Sequence, residues 1–336
     1  MPLTDVPSAE RMAAAFAATR AATRRTPLLE SEVLARECGA SRLFVKAEGL
    51  QRTGSFKLRG AMWRLMQLTP AERRRGVVAF SSGNFAQGLA AAGRDLMVPV
   101  TIVMPFDAPE AKRRATEALG ARVILSDHGD RPREEVAQAL ARDLAAEQGL
   151  VLLHPFDDPD VVAGQGGAGL EALEQMAAAG AVPDVVVCPV GGGGLMGGVA
   201  LAVRRAHPAA MIHAVEPEGY DGMGRSLRAG ERVRAPGGPT ICDALQATMP
   251  GVATLAACQQ AGVTGMAVGD APVAYAMGRA FEVLKLVLEP SGAVALAVVL
   301  AGLLPVTGRS VLIIASGGNI AFDRFAQCVS PAIGTA

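Results

Sequence analysis

The 336 residues predict an α/β protein built mainly on parallel strands. Short apolar runs alternate repeatedly with longer Ala-rich segments of helical character, the pattern that βαβ units leave in a sequence. Several runs end in Gly, Ser or Asn immediately before a helical segment, as a parallel strand does where it hands over to its crossover helix. Half of the residues are apolar, and the chain is long enough for one large domain or two ordinary ones.

In chain order, strands are expected at 76–80, 99–104, 122–125, 150–154, 184–190, 211–215 and 310–315, each a short apolar run closed by a turn residue or a helical segment. The Ala/Glu/Arg stretch 131–148 reads as an amphipathic surface helix, and the polar, Gly/Pro-rich 225–239 as an exposed loop. No internal repeat stands out. The longest late apolar stretch, 293–304, includes Gly302 and stops at Pro305, too short for a membrane span, and the N-terminus lacks a basic region followed by an apolar run. The 32 basic residues balance the 32 acidic ones, without a basic block for a phosphate backbone, so no nucleic acid and no membrane partner is expected. Five widely spaced cysteines without a C-x-x-C pair read as buried thiols in a reducing cytoplasm.

Ligands of open α/β sheets gather at the carboxyl ends of strands, which directs attention to three junctions. Ser81-Ser82-Gly83-Asn84 presents hydroxyls, an amide and helix N-terminal N–H groups, suited either to a carboxylate or to simple capping. Gly191-Gly192-Gly193-Gly194 forms a turn without side chains, suited to a phosphate or to close packing of helix on strand. Ser316-Gly317-Gly318-Asn319 is equally open. Lys57, in Thr53-Gly54-Ser55-Phe56-Lys57-Leu58-Arg59-Gly60-Ala61, is one of only four lysines beside 28 arginines. A guanidinium stays protonated, whereas a desolvated amine can lose its proton and condense with an aldehyde.

Together with His154-Pro155-Phe156-Asp157-Asp158, Gly164-Gln165-Gly166 and Glu289-Pro290-Ser291-Gly292-Ala293, these segments occur in a fixed order over residues 20–326. The chain thereby resembles the pyridoxal-phosphate enzymes of the threonine/serine dehydratase and serine racemase family, fold type II. The resemblance implies two open, twisted, mostly parallel sheets flanked by helices. It implies a large domain from 1–70 and 154–336, and a small mobile domain, 71–153, that closes over the substrate. Lys57 would hold the aldehyde of pyridoxal 5'-phosphate as a Schiff base and then act as base. Phe56, Asn84, Glu289 and Ser316 would contact the cofactor ring, and Gly191, Gly192, Gly193, Gly194 and Leu195 its phosphate. Ser81, Ser82, Gly83, Asn84 and Phe85 would surround the substrate carboxylate. The implied reaction turns an L-β-hydroxy amino acid, such as threonine, serine, hydroxyaspartate or phenylserine, into a 2-oxo acid and ammonia. A homodimer and no feedback domain are expected.

Two departures matter. Phe85 stands where many relatives carry His, which leaves open either drift or an unusual substrate, phenylserine or a cyclic compound such as hydroxyectoine. Relatives that bind a divalent cation use a Glu, a carbonyl and an Asp; Glu216 matches the first, but Gly222 occupies the Asp position and Asp221 falls one place early. Ser82 keeps a racemase alternative open, since racemisation needs an acid/base opposite Lys57.

Overall fold

The computed structural model describes residues 5–131 and 133–333. Its strands are β1 (Leu28–Glu30), β2 (Arg42–Ala47), β3 (Val77–Phe80), β4 (Val100–Pro105), β5 (Arg122–Ser126), β6 (Val151–Leu153), β7 (Val185–Pro189), β8 (Met211–Pro217), β9 (Thr264–Val268) and β10 (Ser310–Ala315). They form two sheets, a six-stranded one in the order β1-β2-β10-β7-β8-β9 and a four-stranded one in the order β5-β4-β3-β6. Every pairing is parallel except β1 on β2. The central β10 is buried along Val311–Ala315 and packs under the Pro290–Leu300 helix, which is buried from Pro290 to Val299. That burial on all sides explains the late apolar stretch in the sequence. Among the described residues no helix is long and apolar enough to cross a membrane.

All seven expected strands form, and three others were not anticipated. β2 hides its apolar character behind Arg42 and Lys46, β9 is interrupted by Gly265, and β1 is a three-residue edge. The surface helix begins at Arg133 and buries Ala137 and Ala141 against Val78 and Val103. The expected loop is partly wrong: a helix covers Gly222–Ala229, so only its later part is irregular.

One helix, Lys57–Met66, occupies the junction of the two sheets. Its Leu58, Ala61, Met62 and Leu65 are fully buried, each Leu contributing about 2 kcal/mol of apolar burial. It is gripped on two sides through glycines. A Cβ on Gly88 of the Asn84–Leu96 helix would lie 3.0 Å from Leu58 N, and one on Gly164 of the Pro159–Gln165 helix 2.7 Å from Gly60 Cα. Behind it Arg59, 1% exposed, makes a bidentate pair with Glu48 at 2.8 Å through both nitrogens and reaches Glu171 at 2.9 Å. Lys46 Nζ donates to the same Glu171 at 2.6 Å, to Gln175 at 2.7 Å and to the Thr26 carbonyl at 2.7 Å. Two cations and two carboxylates thus close a neutral buried cluster.

Candidate active site

Lys57 opens its helix at the mouth of the cleft between the sheets, partly open to it. Its Nζ donates to Pro155 O at 3.2 Å and lies 5.2 Å from the Phe56 ring centroid and 5.6 Å from that of Phe85. Desolvation by these walls pushes the amine down to about 8, against the opposing pull of Glu289 and Glu134. A substantial neutral fraction therefore exists near physiological pH.

Beyond Pro155, the chain carries Phe156 across the tetraglycine turn, where a Cβ on Gly192 would collide with its ring. His154 supports Phe156 edge-on at 4.5 Å, and its Nδ1 accepts the Asp157 N–H at 2.9 Å. Burial pushes this imidazole down to about 4, so it stays neutral. Thr254 Oγ1 donates to Gly192 O at 2.7 Å, holding the turn from the other side. Among the described residues nothing accepts a hydrogen bond from the backbone N–H of Gly191, Gly192, Gly193, Gly194 or Leu195 at the start of the Gly194–Ala206 helix. Such a donor array at a helix N-terminus fits a phosphate dianion.

The second helix N-terminus, at Asn84, leaves the N–H groups of Ser82, Asn84 and Phe85 similarly uncommitted, while Gly83 N–H donates to Ser81 Oγ at 3.3 Å. Asn84 is 7% exposed, and its Nδ2 donates to Glu289 Oε1 at 2.6 Å. Glu289 is buried at the entry to the Pro290–Leu300 helix, and burial pushes its carboxyl up to about 7. Its side chain does not cap that helix; it faces Asn84. Ser316 O accepts from Phe56 N at 3.2 Å, which ties the third junction to the lysine loop. The structure thus brings Lys57, Asn84, the tetraglycine turn, Glu289 and Ser316 around one cleft.

Two of the residues singled out in the sequence have well-defined surroundings. Phe85 is 2% exposed and packs with Leu58, Ala61 and Leu89, its ring centroid 5.6 Å from the Lys57 amine, while its N–H is among the uncommitted ones at the helix N-terminus. Glu216 ends β8, and its two oxygens accept Met223 N at 2.7 Å and Gly224 N at 2.8 Å, capping the Gly222–Ala229 helix. A Cβ at Gly222 would lie 2.6 Å from Thr248 O, and Asp221 turns to Arg225 at 2.8 Å. Among the described residues no three His, Cys, Asp or Glu side chains gather as a metal site. Sequence reasoning missed the placing of Phe156 and His154, although their motif was visible, and the partners of Arg59, whose only sequence signal was Lys46 inside an apolar run.

A two-sheet α/β frame with a crowded lysine between two anion cradles defines a class of enzyme that works through an aldehyde cofactor. Residues 19–317 match the family model of pyridoxal-phosphate dependent enzymes, and the chain belongs to that family. It is 41% identical to the L-threo-3-hydroxyaspartate ammonia-lyase of a Pseudomonas species, over 90% of this chain and 92% of that one. It is 42% identical to the L-threonine ammonia-lyase of Thermotoga maritima, over 88% of this chain and 71% of that one. The solved structure of maize serine racemase superposes with a TM-score of 0.89 at 32% identity, covering 98% of this chain and 99% of that one.

Proposed function

We propose that the chain is a pyridoxal-phosphate-dependent ammonia-lyase that removes water from an L-β-hydroxy amino acid and releases a 2-oxo acid and ammonia. The observation that carries this reading is Lys57, an amine held near a pKa of about 8 between two helix N-termini with free N–H groups. The identity to the hydroxyaspartate and threonine ammonia-lyases supports 3-hydroxyaspartate and threonine as the first substrates to try, ahead of serine and phenylserine.

When bound, pyridoxal phosphate supplies a conjugated ring that accepts the electron pair left as the substrate α-proton departs. Lys57 would hold the cofactor through its aldehyde and would take the substrate α-proton on Nζ. The free N–H groups of Gly191 to Leu195 would hold the phosphate, Asn84 would serve the ring oxygen and Ser316 the ring nitrogen. The Ser316 hydroxyl, being neutral, would leave that nitrogen without a carboxylate to hold a proton on it. The N–H groups of Ser82, Asn84 and Phe85 hold the substrate carboxylate at a helix N-terminus. Residues 71–153 act as a small domain that closes on 1–70 and 154–336 and excludes water. The reading routes no step through a divalent cation; Glu216, the residue that would contribute to such a site, already accepts two backbone N–H groups. It places the enzyme in the cytoplasm, in keeping with five free cysteines, as a homodimer.

The test is 2-oxo acid release by cofactor-saturated protein across L-threo-3-hydroxyaspartate, L-threonine, L-serine and phenylserine, with Lys57→Ala as control. Release that persists undiminished in this variant sinks the reading. A racemase reading has one observation in its favour, the Ser82 hydroxyl, to which no described group is hydrogen-bonded. Chiral analysis of the residual amino acid in the same assay separates the two.

A further inference from the structure

Asn319 donates from Nδ2 to the Thr53 carbonyl at 2.8 Å. A backbone carbonyl only accepts, so this contact fixes which way the Asn319 amide points. The second hydrogen of the same Nδ2 goes to Asn84 Oδ1 at 2.8 Å. That in turn fixes Asn84: its oxygen faces Asn319, and its Nδ2 faces Glu289 Oε1 at 2.6 Å. One hydrogen on Asn84 Nδ2 stays uncommitted among the described residues. Two glycines make the arrangement possible. Gly54 has φ +72°, and a Cβ there would collide with Asn319 Oδ1; a Cβ on Gly317 would collide with Glu289 Oε1 and lie 3.3 Å from Asn84 Nδ2.

We propose that Asn319 is a positioning residue that commits Asn84 to donate, so that the amide can only give a hydrogen bond to a ligand oxygen and holds that oxygen most strongly when it is deprotonated. The inference rests on the assignment of Asn84 to the ring oxygen of the cofactor made above. It deepens that assignment, because an asparagine left free to rotate would accept from a protonated hydroxyl as readily as it would donate to a deprotonated oxygen. The orientation is read outward from Thr53 O, a group that cannot itself be inverted. These side-chain amides join the lysine loop, the Asn84 helix and the Ser316 loop, in addition to the backbone bonds Phe56 N to Ser316 O and Gly318 N to Gly54 O.

The test compares affinities of the apoprotein for pyridoxal 5'-phosphate and for its analogue lacking the ring hydroxyl, by equilibrium dialysis, with melting temperature and circular dichroism of each apoprotein as fold controls. The ratio of the two dissociation constants cancels general damage to the site. The ratio should favour the natural cofactor in the wild type, and Asn319→Asp should shrink that preference by about tenfold, the worth of one hydrogen bond to a charged acceptor. Asn84→Ala should shrink it equally, and the double variant no further. Asn319→Ala, which removes the donor without adding a charge, should act alike and serves if the Asp variant does not fold. A preference lost in Asn84→Ala but kept in both Asn319 variants overturns the proposal and leaves the assignment of Asn84 standing. A preference untouched by Asn84→Ala overturns both.

Discussion

Lys46 and Lys57 are both crowded by protein, and the molecule treats them in opposite ways. Lys46 is fully buried, and its three donors are filled by Thr26 O, Glu171 and Gln175 at 2.6–2.7 Å. Lys57 is partly open to the cleft and has a single carbonyl at 3.2 Å, with carboxylates acting only from farther away. Burial lowers the pKa of Lys46 too, but Glu48 and Glu171 pull against it directly. Desolvation with full hydrogen bonding makes a structural cation; desolvation with poor hydrogen bonding makes a nucleophile. The same residue type thus serves the frame or the chemistry according to its acceptors.

The sharpest way to break the comparison is to remove each cation. Lys57→Ala should cut 2-oxo acid release by about 10⁴-fold or more while the circular dichroism spectrum stays that of the folded protein. Arg59→Ala should do the reverse, leaving Glu48 and Glu171 with too little positive charge and costing about 3–5 kcal/mol in urea unfolding. A loss below about 1 kcal/mol would place that cluster among weak surface pairs and undo the contrast.

A third test uses pH. The folded state holds Lys57 near 8 against an ordinary 10.5, so between those values the folded chain binds fewer protons than the unfolded one and wild-type stability rises with pH. The apoprotein of Lys57→Met should therefore melt above wild type at pH 7, with the gap closing as pH climbs through that window. If the gap is flat with pH, the amine is not perturbed. The smallest effect concerns Phe85. Capture of pyridoxal phosphate by the apoprotein needs the neutral amine, so its rate should rise with pH and level off above about 8. Phe85→Leu removes a ring face 5.6 Å from the ammonium and should move that midpoint lower, an effect under about 1 kcal/mol.

The chemistry of this protein was more legible in its sequence than its mechanical support. Lys57, Asn84 and the tetraglycine turn stand out by local residue choice, because a rare lysine among arginines and a side-chain-free turn leave traces within a few positions. Arg59 leaves none, since Glu48 and Glu171 sit far away in the chain and meet it only after the two sheets assemble. β2 was overlooked for the same reason, as a lysine in an apolar run signals solvent until its acceptors are known. The burial of the Phe85 ring was not legible, because sequence order shows only that it follows the Ser81–Asn84 junction, whereas a helix turns successive side chains to different faces. The Gly222–Ala229 helix was obscured by a polar, glycine-rich stretch, and its start is secured by Glu216 from the preceding strand, β8.

Gly83 borders the carboxylate cradle, and a Cβ placed on it would touch nothing within 4 Å. Most glycines around this cleft are sterically obligatory, yet this one is spare. A side chain at Gly83 would meet no atom of the core, so a change there would act on the rim of the cleft and leave the packing of the fold as it is.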